Sequence, residues 1–398
     1  MAFLDRSNLG FAKNAFQADT GLSDAMYAFG AGVFFLGYSI FELPSNLIMH
    51  RVGAKRWMFR IMVTWGIISS LMLFAHDETT FYIFRFLLGV AEAGFFPGVI
   101  YYLTYWFPAH LRARSVGIFY FGIPLSLVLG GPLSGMLLEF DGLAGLHGWQ
   151  WMFLVEGMLA VVVGIWAYWY LDSKPGDAKW LSAEEKKLLA DTLSEEINSR
   201  KEKAPVTVLK TLMNKRVMFF CGIYFLIQIC LYGVVYYLPS QVSSLVGKEI
   251  GITVGLITTI PWLCALAAAW FIPRWADKSG KNRLIAVFTL LIAAVGIAGS
   301  VLTSSVPITI FGMCLATAGI IAVQPVFWTF PANYLSGIAA AGGIAFINSV
   351  GTLGGFVAPN LKTWVEQEFN SGIAGMMVLT VSALLAALMI YFGKKVMD

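Results

Sequence analysis

The chain has 398 residues, of which 58% are hydrophobic and only 13% charged, with a formal net charge of +4. Soluble domains carry roughly a quarter of their residues as charges, so this composition excludes a soluble globular protein and indicates a polytopic membrane protein. The small positive excess does not indicate a nucleic-acid partner, because the charges lie between long apolar segments rather than in one patch. Four cysteines fall inside apolar runs without CxxC spacing, so they read as buried thiols rather than a disulfide framework or a metal site.

In chain order, the first segment, MAFLDRSNLGFAKNAF, carries Asp5 and Arg6 a few residues from its start and has no signal-peptide pattern. A full span before Tyr27 is not evident, and the expectation is a chain that begins partway through its first transmembrane helix. Apolar runs of membrane length then follow at Tyr27–Met49, Trp57–Ala75, Phe81–Phe107, Ser115–Phe140 and Gln150–Leu171. Six more follow a polar stretch, at Val217–Leu245, Ile250–Ala276, Leu284–Thr303, Pro307–Phe330, Ile338–Trp364 and Ile373–Val396. The expected architecture is therefore all-α, with about eleven complete transmembrane helices.

The polar stretch, Asp172 to Arg216, divides the chain into a transmembrane half at 1–171, a linker at 172–216 and a second transmembrane half at 217–398. Within the linker Ser182 and Glu185 have capping-box spacing, with Leu189, Leu193 and Ile197 following at helical intervals, which predicts a short amphipathic helix. Of the 27 lysines and arginines, all but Arg6, Lys13, Arg85, Lys248 and Lys362 fall in alternate loops, in the linker or at the C-terminal end. That asymmetry places the linker and the C-terminus in the cytoplasm.

The third apolar run carries Arg85 and Glu92 inside it. An ionised side chain at mid-membrane costs about 2.5 to 3.5 kcal/mol even on insertion scales, so both must face a protected interior. Seven residues is just under two helical turns, which puts them on one face. Together with Asp5 and Arg6 they form a set of two acids and two bases. Buried ion pairs stabilise poorly and intramembrane charges mark pathways, so a polar transport route is favoured over a structural salt-bridge network.

Two loops echo one another. LPSNLIMHRVGAKR (Leu43–Arg56) and IPRWADKSGKNR (Ile272–Arg283) each join an apolar helix end, a Gly turn and a basic cluster, at equivalent places on either side of the linker. Such an internal repeat is expected of a transporter built from two helical halves. Gly131 with Gly135, and Gly351 with Gly355, supply small-residue faces for close helix approach, also at equivalent places.

The DKSGKNR loop at Asp277–Arg283 and RFLLG at Arg85–Gly89 resemble signatures of the major facilitator superfamily. FLDRSNLGFA (Phe3–Ala12), GVAEAGFFPGVIYYLTYWFP (Gly89–Pro108), GWQWMFLVEG (Gly148–Gly157), AVQPVFWTFP (Ala322–Pro331) and GGIAFINSVGTLGGFVAP (Gly342–Pro359) resemble its anion:cation symporters, in the rhamnonate and tartrate branch. Members of that group have a complete first helix ahead of the DR pair.

The resemblance implies two six-helix halves and proton-coupled import of an organic anion by alternating access. A sugar acid such as rhamnonate is the expected substrate, with tartrate or an aromatic acid such as 4-hydroxyphenylacetate as alternatives. It implies proton coupling at Asp5 and Glu92, and anion binding at Arg6 and Arg85. Tyr38 and Asn348 match substrate-facing positions of the family. Gln228 and Tyr232, and Gln324 and Trp328, are pairs one turn apart inside apolar runs, suited to a hydroxyl-rich ligand or to interhelical hydrogen bonds.

Glu42 and Glu156 lie near span ends and read as structurally paired or snorkelling. No cofactor, metal or nucleic acid is implied; the partners are the organic anion, protons and the lipid of a bacterial inner membrane, and the expected state is a monomer. GxSxG, HExxH and P-loop patterns, which would favour an enzyme, do not occur. A non-transporting membrane sensor is the alternative of another class.

Overall fold

The computed structural model describes residues 1–201, 214–335 and 337–394. The end of the linker at 202–213, Ser336, and 395–398 with the basic Lys395 and the last-span terminus Val396 lie outside the described residues. Among those described, eleven segments are long and apolar enough to cross a membrane, matching the eleven apolar runs within a few residues at most ends.

Several of those runs are not single straight helices. The first half comprises α1 (Ala2–Thr20), α2 (Asp24–Val52), α3 (Ala54–Leu71), α4 (Glu78–Glu92), α5 (Phe95–Trp106), α6 (Ala109–Tyr120), α7 (Gly122–Leu138) and α8 (Gly148–Tyr170). In the linker, α9 (Ala183–Lys201) begins at the expected capping box: Ser182 N donates to Glu185 Oε2 at 2.8 Å, and Glu185 N donates to Ser182 Oγ at 3.2 Å. The rest comprises α10 (Lys215–Val246), α11 (Ile252–Ser279), α12 (Asn282–Val301), α13 (Val306–Tyr334), α14 (Gly337–Thr352), α15 (Gly354–Glu368) and α16 (Gly372–Phe392).

The first helix, 19 residues long, is not among the eleven apolar spans. Asp5, Arg6, Ser7 and Asn8 form one continuous polar turn in it, and all four are buried against protein rather than lipid.

The run Phe81–Phe107 is broken rather than continuous. Gly94, at φ +86°, ends α4 just after Glu92 and starts α5. An interrupted helix in a membrane must re-satisfy its freed backbone groups. Here Ser45, from the LPSN segment of α2, donates its hydroxyl to the Ala93 carbonyl at 2.6 Å, and Trp57 Nε1 donates to Ser45 Oγ at 2.9 Å.

Two crossings hold the first-half helices against the later ones: α7 packs on α11, and α2 packs on α14 and α15. At the first, glycines meet backbone to backbone. A Cβ on Gly131 would lie 2.6 Å from the Gly255 carbonyl oxygen, and one on Gly135 would lie 2.5 Å from that of Gly251. At the second, a Cβ on Gly355 would meet the Phe35 ring at 2.5 Å.

On the side away from the basic loops α1 also lies on α10. A Cβ on Gly10 would come within 2.7 Å of the Tyr236 carbonyl oxygen, and Lys13 Nζ sits 5.4 Å from the Tyr237 ring centroid.

Candidate functional site

A cavity of about 150 Å³ lies between the two sets of helices. Arg6 of α1, Tyr38 of α2 and Glu92 at the end of α4 line one wall, with Phe96, Phe119, Tyr120 and Ser126 around them. Opposite stand Tyr224, Gln228 and Tyr232 of α10, Gln324 of α13, and Asn348 and Thr352 of α14. Seven of the ten sequence-predicted site residues thus meet at one place, from six helices: Arg6, Tyr38, Glu92, Gln228, Tyr232, Gln324 and Asn348.

Arg6 is the centre of this arrangement. Its Nη2 donates to Glu92 Oε1 in a buried ion pair, and its Nη1 donates to the Tyr232 hydroxyl. The guanidinium carbon lies 5.1 Å from the ring centroids of Phe34 and of Tyr38, and 5.2 Å from that of Phe3. Aromatic faces at that range attract a cation and shield it from water. Arg6 Nε and Glu92 Oε2 are buried without a hydrogen-bond partner, as is Gln228 Oε1. Buried polar atoms are normally satisfied, so a donor and two acceptors left over around one cavity are what a ligand would complete.

The other three predicted residues do not line the cavity. Asp5, one residue from Arg6, points to the opposite side of α1, where Trp65 Nε1 and Ser69 Oγ of α3 donate to its carboxylate, the second at 2.7 Å. The DR pair is therefore split by the helical turn: Arg6 faces the cavity and Asp5 faces the interior of the first half. Arg85 is fully buried and donates to the carbonyls of Gly30 and Ala31 on α2, each at 3.3 Å, with its guanidinium 5.0 Å from the Phe34 centroid. Arg85 thus stands outside the cavity lining, with Nε and Nη2 engaged by α2 carbonyls and Nη1 buried without a hydrogen-bond partner. Trp328 packs edge-on to Tyr224, with centroids 4.8 Å apart, behind the cavity wall.

Sequence reasoning passed over Tyr224, which lines the cavity and accepts a hydrogen bond from Gln228 Nε2 at 3.1 Å. It stands one turn before Gln228, so extending the Gln228 and Tyr232 face by four residues would have found it. Glu42 does not snorkel; it is buried and bonded to Asn348 and Ser349 across the halves. Glu156 is fully buried and accepts from Ser134 Oγ at 2.7 Å, as structural pairing predicts. Among the described residues no group of three His, Cys, Asp or Glu side chains is placed to hold a metal ion.

The model of the Major Facilitator Superfamily matches residues 1–359. The chain belongs to the major facilitator superfamily. It is 46% identical over 391 residues to the inner membrane transport protein RhmT of Escherichia coli K12, covering 98% of this chain and 90% of the relative. A putative tartrate transporter of Agrobacterium vitis is 44% identical, covering 96% and 89%. The putative metabolite transport protein NicT of Pseudomonas putida is 41% identical, covering 98% and 89%.

Solved structures agree on the fold. A D-xylose-proton symporter superposes with a TM-score of 0.71 at 16% identity, covering 98% of this chain and 95% of that one. A bacterial homologue of the lysosomal transporter Spinster, inward-facing and unoccupied, superposes with 0.72 at 15% identity, covering 99% and 92%. As a member of this superfamily the protein is a multi-pass integral membrane transporter rather than an enzyme.

Proposed function

We propose that the protein is a proton-coupled symporter that imports an organic anion, a sugar acid such as rhamnonate, across a bacterial inner membrane with its linker and C-terminus in the cytoplasm. The observation that carries this reading is the Arg6 guanidinium, buried in the cavity between the halves with one N–H unused. A planar cation with free donor capacity is suited to a carboxylate, which it can hold through paired charge-assisted hydrogen bonds. Around it the amides of Gln228, Gln324 and Asn348 and the hydroxyls of Tyr38 and Tyr232 offer the neutral donors and acceptors that a polyhydroxy chain requires. The 44% identity to a putative tartrate transporter, tartrate being a hydroxylated acid, supports the same substrate class.

The arrangement suggests how an anion and a proton travel together. In the empty site Arg6 and Glu92 neutralise one another. A substrate carboxylate that takes over Arg6 leaves Glu92 as a buried carboxylate without its cation, which is costly until it binds a proton. Protonation of Glu92 thus accompanies substrate entry. Asp5, buried behind Arg6 with no lysine or arginine paired to it among the described residues, is a second place for a proton. The glycine-lined crossings of α7 with α11 and of α2 with α15 are where the halves would rock.

Equilibrium counterflow in proteoliposomes tests the reading. Vesicles loaded with unlabelled rhamnonate, galactonate, tartrate or 4-hydroxyphenylacetate are diluted into trace labelled acid, and transient accumulation of one hydroxylated acid is expected. A protein that binds these acids but shows no counterflow with any of them would be a sensor, not a carrier.

A further inference from the structure

Glu42 is a carboxylate in the spanning part of α2 that the scheme above leaves unused. It is 1% exposed, and among the described residues no lysine, arginine or histidine forms an ion pair with it. Its partners lie in the other half of the molecule. Asn348 Nδ2 donates to Glu42 Oε1 at 2.7 Å, and Ser349 Oγ donates to Oε2. One turn earlier on α2, Ser39 Oγ donates to the Ser349 carbonyl at 3.0 Å. The same turn of α14 is therefore gripped by one face of α2.

Asn348 belongs to both this contact and the substrate cavity. Its side-chain amide has two unlike ends, an NH2 that donates and a carbonyl that accepts, and the end turned to the cavity decides which ligand group it can bind. A carboxylate oxygen accepts. The Ser349 hydroxyl can donate to Oε2, or accept from that oxygen when it carries a proton. In both cases, with no proton on Oε1, that oxygen remains an acceptor, so the NH2 of Asn348 is committed to Glu42 and its carbonyl is left for the cavity.

We infer that Glu42 is a positioning residue for the substrate: it fixes the Asn348 amide so that Oδ1 is presented to a substrate hydroxyl. The inference rests on the organic-anion reading above and adds that a hydroxyl donor is selected at this point. It also makes recognition conditional on conformation. Glu42 and Asn348 sit on different halves, so the acceptor is held in place only while α2 and α14 are packed. Where the two helices part, the Asn348 amide is free to turn and the substrate loses that bond.

The test is calorimetric titration of the purified full chain with whichever of rhamnonate, galactonate, tartrate and 4-hydroxyphenylacetate binds the wild type most tightly. The variants are Glu42→Ala, Glu42→Gln, Asn348→Ala and the double variant Glu42→Ala with Asn348→Ala. Loss of one oriented hydrogen bond predicts that Glu42→Ala weakens binding by roughly tenfold. Glu42→Gln should stay close to wild type, because its carboxamide oxygen still accepts from Asn348 and its nitrogen can donate to Ser349 Oγ. In the Asn348→Ala background, Glu42→Ala should change nothing further, a coupling that a merely structural residue would not show.

Wild-type affinity in Glu42→Ala overturns the inference. So does an equal loss with and without Asn348, or a loss in Glu42→Gln as large as in Glu42→Ala. If the wild type binds none of the four acids, the organic-anion reading fails and this inference falls with it; if the wild type binds and the variants do not discriminate, this inference alone falls.

Discussion

Arg6 of α1 and Glu92 of α4 form an ion pair buried in the cavity, and the same guanidinium donates to Tyr232 of α10 across the two halves. One side chain thus joins the acid of the first half to a phenol of the second. Nε of Arg6 has no partner, so an anion held there by paired hydrogen bonds takes Nε and displaces at least one of these partners, which ties substrate binding to the charge state of Glu92 and the contact between the halves.

Lysine at position 6 keeps the charge but not the planar fork that reaches Glu92 and Tyr232 together. Arg6→Lys should weaken substrate binding by about 1.5 to 3 kcal/mol, the worth of one charge-assisted hydrogen bond. Calorimetry on the purified variant measures this directly. Binding within a factor of two of wild type would remove Arg6 from the anion site.

A glutamine at position 92 resembles the protonated acid and cannot release a proton. Glu92→Gln should retain counterflow of the substrate while losing uptake driven by an imposed pH gradient. Both are read in the same proteoliposome preparation. Gradient-driven accumulation at the wild-type level would show that the coupling proton does not travel on Glu92.

Arg85 donates to two α2 carbonyls and does not reach the cavity. Lysine there cannot reproduce the fork, so Arg85→Lys should lower thermal stability while leaving substrate affinity unchanged. The expected stability loss is about 1.5 to 3 kcal/mol for a buried charged hydrogen bond, followed by thermal unfolding in detergent alongside titration. Lost affinity with an unaltered melting temperature would instead place Arg85 on the substrate in another conformation of the cycle.

At the α7–α11 crossing the glycine backbones already touch, so leucine at Gly255 has no space unless the helices separate. Gly255→Leu should abolish counterflow, and if the chain still folds it should leave titratable substrate binding. Normal transport by this variant would mean that the crossing is not a moving interface.

The linker and the short loop at Lys248 are expected on opposite faces of the membrane. A cysteine at Ser194 in α9 should resist an impermeant maleimide applied to intact cells, and one at Lys248 should react. The reverse pattern would invert the orientation read from the basic loops.

Much of this protein was legible in the sequence, because bilayer thickness fixes the length of an apolar run and the cost of a charge inside it. Those two quantities gave eleven spans and set Arg6, Arg85 and Glu92 apart as charges among apolar residues, while capping-box spacing gave the linker helix at Ser182 and Glu185. Helical periodicity also paired Gln228 with Tyr232 correctly. What it could not give was which way neighbouring residues point once helices pack. Asp5 and Arg6 are adjacent in sequence, yet about 100° of helical rotation sends one into the first half and the other into the cavity.

The tertiary structure alone decided three things. The polar turn Asp5 to Asn8 lies within a helix because protein, not lipid, covers it. The break after Glu92 is stable because Ser45, on a helix 48 positions away in sequence, satisfies the Ala93 carbonyl. Glu42 is a contact between the halves because α2 crosses α14, which brings it to Asn348, 306 residues distant. Hydropathy and spacing report on a segment's exchange with solvent and lipid, whereas these three features depend on which surface another part of the chain presents, and only folding settles that.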